Sequence, residues 1–138
     1  MDKVNPRHYN IDGIPVEEYY YRDDNNKMCL VIKDNEGCTE LSKKLLKKVK
    51  NNFNKFVIAS VDYHDESEIK ERGYRHQYLL LEDEDGNQLH LSGCGSGYQG
   101  DGPRGTLEVL NSLGFNIDKR YVYTAKIFRL ELSDHYSS

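Results

Sequence analysis

Tryptophan is absent from this 138-residue chain, and cysteine, proline and methionine number only three, three and two. Three cysteines (Cys29, Cys38 and Cys94) are an odd number without C-x-x-C spacing, which excludes a disulfide framework. A structural zinc site needs about four spaced Cys or His ligands, and the sequence holds no such cluster. The five histidines are scattered and none belongs to H-E-x-x-H. His64-Asp65-Glu66 reads H-x-E, but the P-C-x-x-C that completes a zinc deaminase is missing. No apolar run approaches the ~18–20 residues of a membrane span. Net positive charge is lacking too: the balance is −4, which argues against nucleic-acid binding through phosphate neutralisation. No glycine is followed by Lys-Ser or Lys-Thr at P-loop spacing, so a Walker-type NTPase is not expected.

What is present fits one small folded domain. Hydrophobic residues make up 37% and charged residues 30%, with 11 Tyr and 4 Phe to build a core under a wet surface. The polar start MDKVNPRHYN carries no export-type hydrophobic segment, so a cytoplasmic setting with reduced thiols is expected. No cofactor or metal is expected.

The first 16 residues hold two of the three prolines and little periodicity, and read as an N-terminal arm. Residues 17–133 read as a single α+β domain, with 134–138 as a tail. Glu17–Arg22 and Lys27–Lys33 read as strands around the turn Asp23–Asn26. Thr39 is expected to cap a helix whose stripe is Leu41, Leu45, Leu46, Val49 and Phe53, with five lysines around it as a solvated face. Phe56–Tyr63 reads as a strand and His64–Gly73 as an exposed acidic loop. Tyr74–Glu82 and Gln88–Ser92 form a hairpin in which Asp85-Gly86 suits a type I′ turn. Pro103 opens a second helix with Leu107, Leu110 and Leu113 inward and Gly114 as its stop. Tyr121–Leu132 reads as a long last strand. The expected order is ββα-βββα-β: two helices on a largely antiparallel sheet.

The stretch Gly93–Gly105 contains six of the 11 glycines. Strand, glycine-rich loop and helix start follow one another, the layout of an anion cradle in which backbone N–H groups approach a ligand unhindered. Gly95, Gly97, Gly100, Gly102 and Gly105 supply that backbone, Ser96 and Thr106 add hydroxyls, Arg104 adds a forked cation, and Tyr98 offers a stacking face. Gly95 to Gly100 spells G-x-G-x-x-G, but the flanking hairpin departs from the βαβ unit of a dinucleotide fold. Six glycines also fit a loop that packs tightly and binds nothing.

A two-residue turn at Asp85-Gly86 sets Leu80 opposite Leu91, Tyr78 opposite Gly93 and His76 opposite Gly95. His76 and Tyr78 then flank the loop mouth on one sheet face, with His90 on the other. His76 is thus the candidate general base, and Cys94 beside it a candidate nucleophile without an evident orienting partner. Tyr19-Tyr20-Tyr21 alternates faces and could offer an aromatic contact surface or simply fill a half-buried strand.

The opening Asp2-Lys3-Val4-Asn5-Pro6-Arg7-His8-Tyr9, with Gly13-Ile14 after it, carries a pattern close to D-x-V-N-x-P-x-H-Y…G-I-E. It resembles the short N-terminal motif of a bacteriophage domain of unknown function associated with nucleotide kinases. The resemblance covers residues 2–14; Pro6 follows Asn5 directly and Pro15 stands where a helix is expected, so kinase chemistry is not carried over. It implies a phage-type protein working in a bacterial cytoplasm.

Together these readings lead to a small counter-defence protein that sequesters a phosphate-bearing nucleotide signal. The alternatives are an inhibitor binding a host protein directly, and a nucleotide-modifying enzyme using His76 as base. Membrane and nucleic-acid partners are not expected, and self-association is left open.

Overall fold

A computed structural model describes residues 2–66, 68–73 and 75–132. Seven strands form one mixed sheet in the order β1-β2-β3-β6-β5-β4-β7. The strands are β1 (Val4–Ile11), β2 (Ile14–Arg22), β3 (Met28–Asp34), β4 (Phe56–Asp62), β5 (Tyr78–Asp83), β6 (Gln88–Leu91) and β7 (Phe128–Glu131). The helices are α1 (Thr39–Val49), α2 (Glu68–Arg72), α3 (Asp101–Ser112) and α4 (Lys119–Thr124). Every strand contact is antiparallel except that of β3 with β6, which run parallel. The α+β class holds, with four helices rather than two. No helix among the described residues is long and apolar enough to cross a membrane.

Alternation assigns Ile32, Leu79, Leu81, Leu89 and Leu91 to one face of the sheet, all fully buried. Leu45, Leu46 and Val49 of α1 and Val109 and Leu110 of α3 close that core. The α1 stripe follows its helical period, whereas α3 turns Thr106, Val109 and Leu110 inward and leaves Leu107 half-buried. The opposite face is also covered. Tyr78 and Leu80 on β5 and His90 on β6 are buried there, beneath the segment between β4 and β5. Central strands covered on both sides explain the unbroken Leu79-Leu80-Leu81 run.

Four expectations need correction. Residues 4–11 are no irregular arm but edge strand β1, joined to β2 by Asp12-Gly13, both at positive φ (48° and 83°) as a type I′ turn demands. Pro6 is accommodated because β1 is an edge and its register shifts between Val4 and Arg7.

The Asp85-Gly86 hairpin, by contrast, uses a longer loop. Asp83 N–H donates to the Asn87 carbonyl, and the Asp83 carboxylate accepts from the N–H groups of Asp85 and Asn87. The register slips by one, Leu80 faces His90, and His90 joins Tyr78 on the same sheet face.

Thr39 is the first helical residue rather than the cap, since its hydroxyl donates to Gly93 O at 2.6 Å; Cys38 occupies the cap position. Residues 121–132 are not one strand. The Asp118 carboxylate caps α4 by accepting from Arg120 N–H at 2.7 Å, and only Phe128–Glu131 pairs with β4. The expected 134–138 tail lies outside the described residues.

Gly93 fits so closely under the Cys38–Thr39 peptide that a Cβ there would fall on the Cys38 carbonyl. Since backbone rather than a flexible side chain is in the way, Gly93→Ala should cost about 1–3 kcal/mol or more. Thermal unfolding should show the melting temperature lowered by several degrees; an unchanged temperature would contradict the packing described.

Candidate functional site

Parallel pairing sends the carboxyl ends of β3 and β6 to the same edge of the sheet, and each strand then runs into a helix. The Asp34 carboxylate ties these exits together. It accepts from Ser42 Oγ of α1 at 2.7 Å, from Ser92 N–H at 2.8 Å and from the Ser92 hydroxyl. Ser42 Oγ in turn accepts from Gly93 N–H at 2.9 Å. Burial pushes the Asp34 carboxyl above its ordinary value, against the downward pull of these hydrogen bonds.

Consequently the first turns of α1 and α3 lie side by side, with Gly105 against the Thr39 methyl so closely that a Cβ would collide. Neither helix carries a side-chain cap at its amino end: α1 begins after Cys38 and α3 after Gly100. Residues of both first turns, Thr39 and Glu40 of α1 and Asp101 and Gly102 of α3, border the same region, where helix amino ends leave N–H groups unpaired. A groove of about 840 Å³ opens there, walled by Gly37, Cys38 and Thr39 on one side and by Gly95, Tyr98 and Gly102 on the other. Glu36, Glu40 and Asp101 rim it. Glu40 and Asp101 are 80% and 84% exposed, so water screens much of their charge.

His76 stands at the inner end of the groove and also lines an adjoining polar cavity of about 350 Å³. Glu68, on α2, holds it twice. One carboxylate oxygen accepts from the His76 backbone N–H at 3.0 Å, the other lies 2.6 Å from Nδ1. An ionised carboxylate only accepts, so Nδ1 is the donor to Glu68. Nε2 is buried and has no hydrogen-bond partner among the described residues, a condition that costs about 1–3 kcal/mol.

The residues expected to form the cradle divide. Gly95, Gly102, Tyr98 and His76 line the groove. Gly97 instead abuts Lys126, and Ser96 Oγ donates to the Lys126 carbonyl at 3.1 Å. Thr106 is buried, its hydroxyl 2.7 Å from Gly95 O, which accepts it, and 3.1 Å from Gly102 O. Gly100 packs on the Tyr98 ring, and Gly105 serves the helix contact. Arg104 is exposed, paired with Asp101 at 3.3 Å and absent from the groove lining. Tyr78 is buried and donates to His90 Nδ1 at 2.8 Å, so it offers no face to the groove. Cys94 is sealed beneath α3, where burial pushes its thiol up to about 12, far from a nucleophile's range. Tyr19 is buried and Tyr20 and Tyr21 half-buried, so the triplet forms no exposed aromatic patch.

Sequence reasoning missed Glu68 as the partner of His76, and missed Cys38 and Thr39 as groove residues. Glu68 lies only eight residues before His76, where the acidic run Glu66–Glu71 hinted at a carboxylate, whereas Cys38 and Thr39 come from a segment distant in the chain. Among the described residues no three His, Cys, Asp or Glu side chains converge as metal ligands.

Beneath this site the second sheet face carries a histidine cluster. His90 donates through Nε2 to Gln88 Oε1 at 3.0 Å, and the His64 ring packs on both Tyr78 and His90. Burial, with Lys33 nearby, lowers both imidazoles, His90 far below its ordinary value. No protein-family model, no curated protein and no solved structure matches this chain.

Because the folded values of His64 and His90 lie below the unfolded one, the stability they hold is complete above about pH 6.5 and is lost as pH falls toward the folded values. Each proton that only the unfolded chain binds contributes a slope of about 1.4 kcal/mol per pH unit. Denaturant titrations between pH 7.5 and 5 should show this decline, and His90→Asn should flatten it; an equal slope in that variant would refute the assignment. Alkylation of the native protein should modify Cys38 and spare buried Cys29 and Cys94. Mass spectrometry reads this directly, and rapid labelling of Cys94 would contradict its burial.

Proposed function

We propose that this chain binds a compact phosphate-bearing nucleotide in the groove, with the phosphate at the paired amino ends of α1 and α3 and the base against Tyr98. The observation that carries the reading is the convergence of two uncapped helix starts at the carboxyl ends of the parallel strands. Backbone N–H groups and aligned dipoles are the standard protein surface for a phosphate. Crevices outside the carboxyl ends of parallel strands are where open sheets bind ligands. Tyr98 is 51% exposed and lines the groove, so a planar base can lie on it. The groove volume is within the range of small-molecule sites.

The acidic rim narrows the ligand class. Glu36, Glu40 and Asp101, though screened by water, add a weak field that opposes polyanions more than small anions and so favours ligands with one or two phosphates. Arg104 is already paired with Asp101 and contributes attraction at long range rather than a contact. The N-terminal resemblance to phage chains makes the nucleotide signals of bacterial hosts the first ligands to test. Sequestering such a signal is the counter-defence role that fits.

Cys38→Asp is the discriminating variant. Its carboxylate would cap α1 and occupy the N–H groups assigned to the phosphate, adding about 0.5–2 kcal/mol to the free protein. A thermal-shift panel of linear and cyclic mono- and dinucleotides should reveal a ligand that stabilises the wild type by about 2.7 kcal/mol at 100 times its dissociation constant. The variant should melt higher alone and lose the ligand shift. A flat panel, or a shift that survives Cys38→Asp, would overturn the proposed site.

A further inference from the structure

We infer that His76, positioned by Glu68, acts as a general base that hydrolyses small cyclic phosphodiesters in this groove; the inference rests on the nucleotide-binding reading above. A histidine that merely tied α2 to the sheet would need only its backbone N–H and Nδ1, which Glu68 already engages at 3.0 and 2.6 Å. That role leaves unexplained why Nε2 is buried without a partner among the described residues while His76 borders both the groove and the adjoining cavity. Glu68 is itself only 5% exposed against 33% for the His76 side chain, so a buried carboxylate holds a partly exposed imidazole. Nδ1–H facing a carboxylate, with a bare lone pair on Nε2, is the arrangement in which an imidazole accepts a proton. It stands beside two helix amino ends able to meet charge that develops on phosphate oxygens.

The step is complete with water as co-reactant. A water molecule passes a proton to Nε2 as its oxygen forms a bond to phosphorus. The ester P–O bond breaks on the opposite side of phosphorus with its electron pair on the leaving oxygen. That oxygen takes a proton from solvent water, and the imidazolium then releases its proton to solvent. The phosphodiester and one water become a phosphomonoester with a free hydroxyl. Glu68 stays ionised throughout and stabilises the imidazolium, which makes it a positioning residue. The acidic rim disfavours long nucleic-acid strands, so nucleoside cyclic phosphates are the substrate class.

The full chain should be incubated with nucleoside 2′,3′- and 3′,5′-cyclic phosphates and cyclic dinucleotides in ¹⁸O water, with product read by chromatography and mass spectrometry. Ring opening with one ¹⁸O in the phosphomonoester is expected. His76→Ala should lower kcat at least 100-fold while the ligand's thermal shift persists. Glu68→Gln can turn its amide toward Nδ1 and move the proton to Nε2. It should therefore lower kcat with KM little changed, and ¹⁵N NMR should show the Nδ1–H form of His76 in the wild type give way to Nε2–H. Binding without turnover, undiminished turnover in His76→Ala, or an Nε2–H wild type would overturn the base and leave the binding reading intact. Absence of any binding would bring down both.

Discussion

One buried carboxylate holds the arrangement on which everything else depends. Asp34 ends β3 and is bonded to α1 through Ser42 and to the exit of β6 through Ser92. Without that tie, two parallel strands leaving the same edge would lead into loops free to separate. With it, the helices that follow begin side by side, at a separation only Gly105 permits. The cost is a carboxyl held in a dry setting, as its upward shift indicates. Because that value is raised, its stabilising contribution is greatest in acid and declines as pH rises past it, opposite in sign to that of His64 and His90.

The sheet has two unlike faces. Beneath α1 and α3 lies an aliphatic layer of Leu, Ile and Val. On the other side the chain buries Tyr78, His90, Lys33 and Glu17 in a polar layer: Tyr78 bonds to His90, Lys33 pairs with Asp65 of the covering segment, and Glu17 pairs with Lys3 just before β1. Buried polar groups are tolerable only when paired, and most here are. His76 Nε2 stands out against that background as the buried side-chain polar atom without a hydrogen-bond partner among the described residues.

Glycine-rich loops invite a choice between packing and ligand contact, and here some of the residues that pack tightly also wall the groove. Gly93 and Gly105 exist because backbone or a methyl occupies the space of their side chains. Gly95 and Gly102 lie under the Tyr98 hydroxyl and also wall the groove. Tight packing brings the two helix starts together, and that closeness gives the groove its donors. Entropy spent on the glycines is thereby offset by the fold before any ligand arrives.

Local chemistry was legible in the chain wherever a period or a turn signal acted alone. The α1 stripe, the strand beginning at Phe56, the Asp23 turn, the start of α3 near Pro103 and the α+β class all follow from residues close in sequence. His76 and the glycine loop were legible as a candidate site because rare residue types cluster there. Tertiary structure decided the rest. Asp-Gly pairs occur at 12–13 and 85–86, and only the first makes a two-residue turn, because Asp83 draws the second into a longer loop and slips the register by one. The parallel contact of β3 with β6 and the convergence of α1 with α3 join segments far apart in the chain. Such contacts depend on closing long loops around a shared core, a free energy that no short stretch of sequence carries.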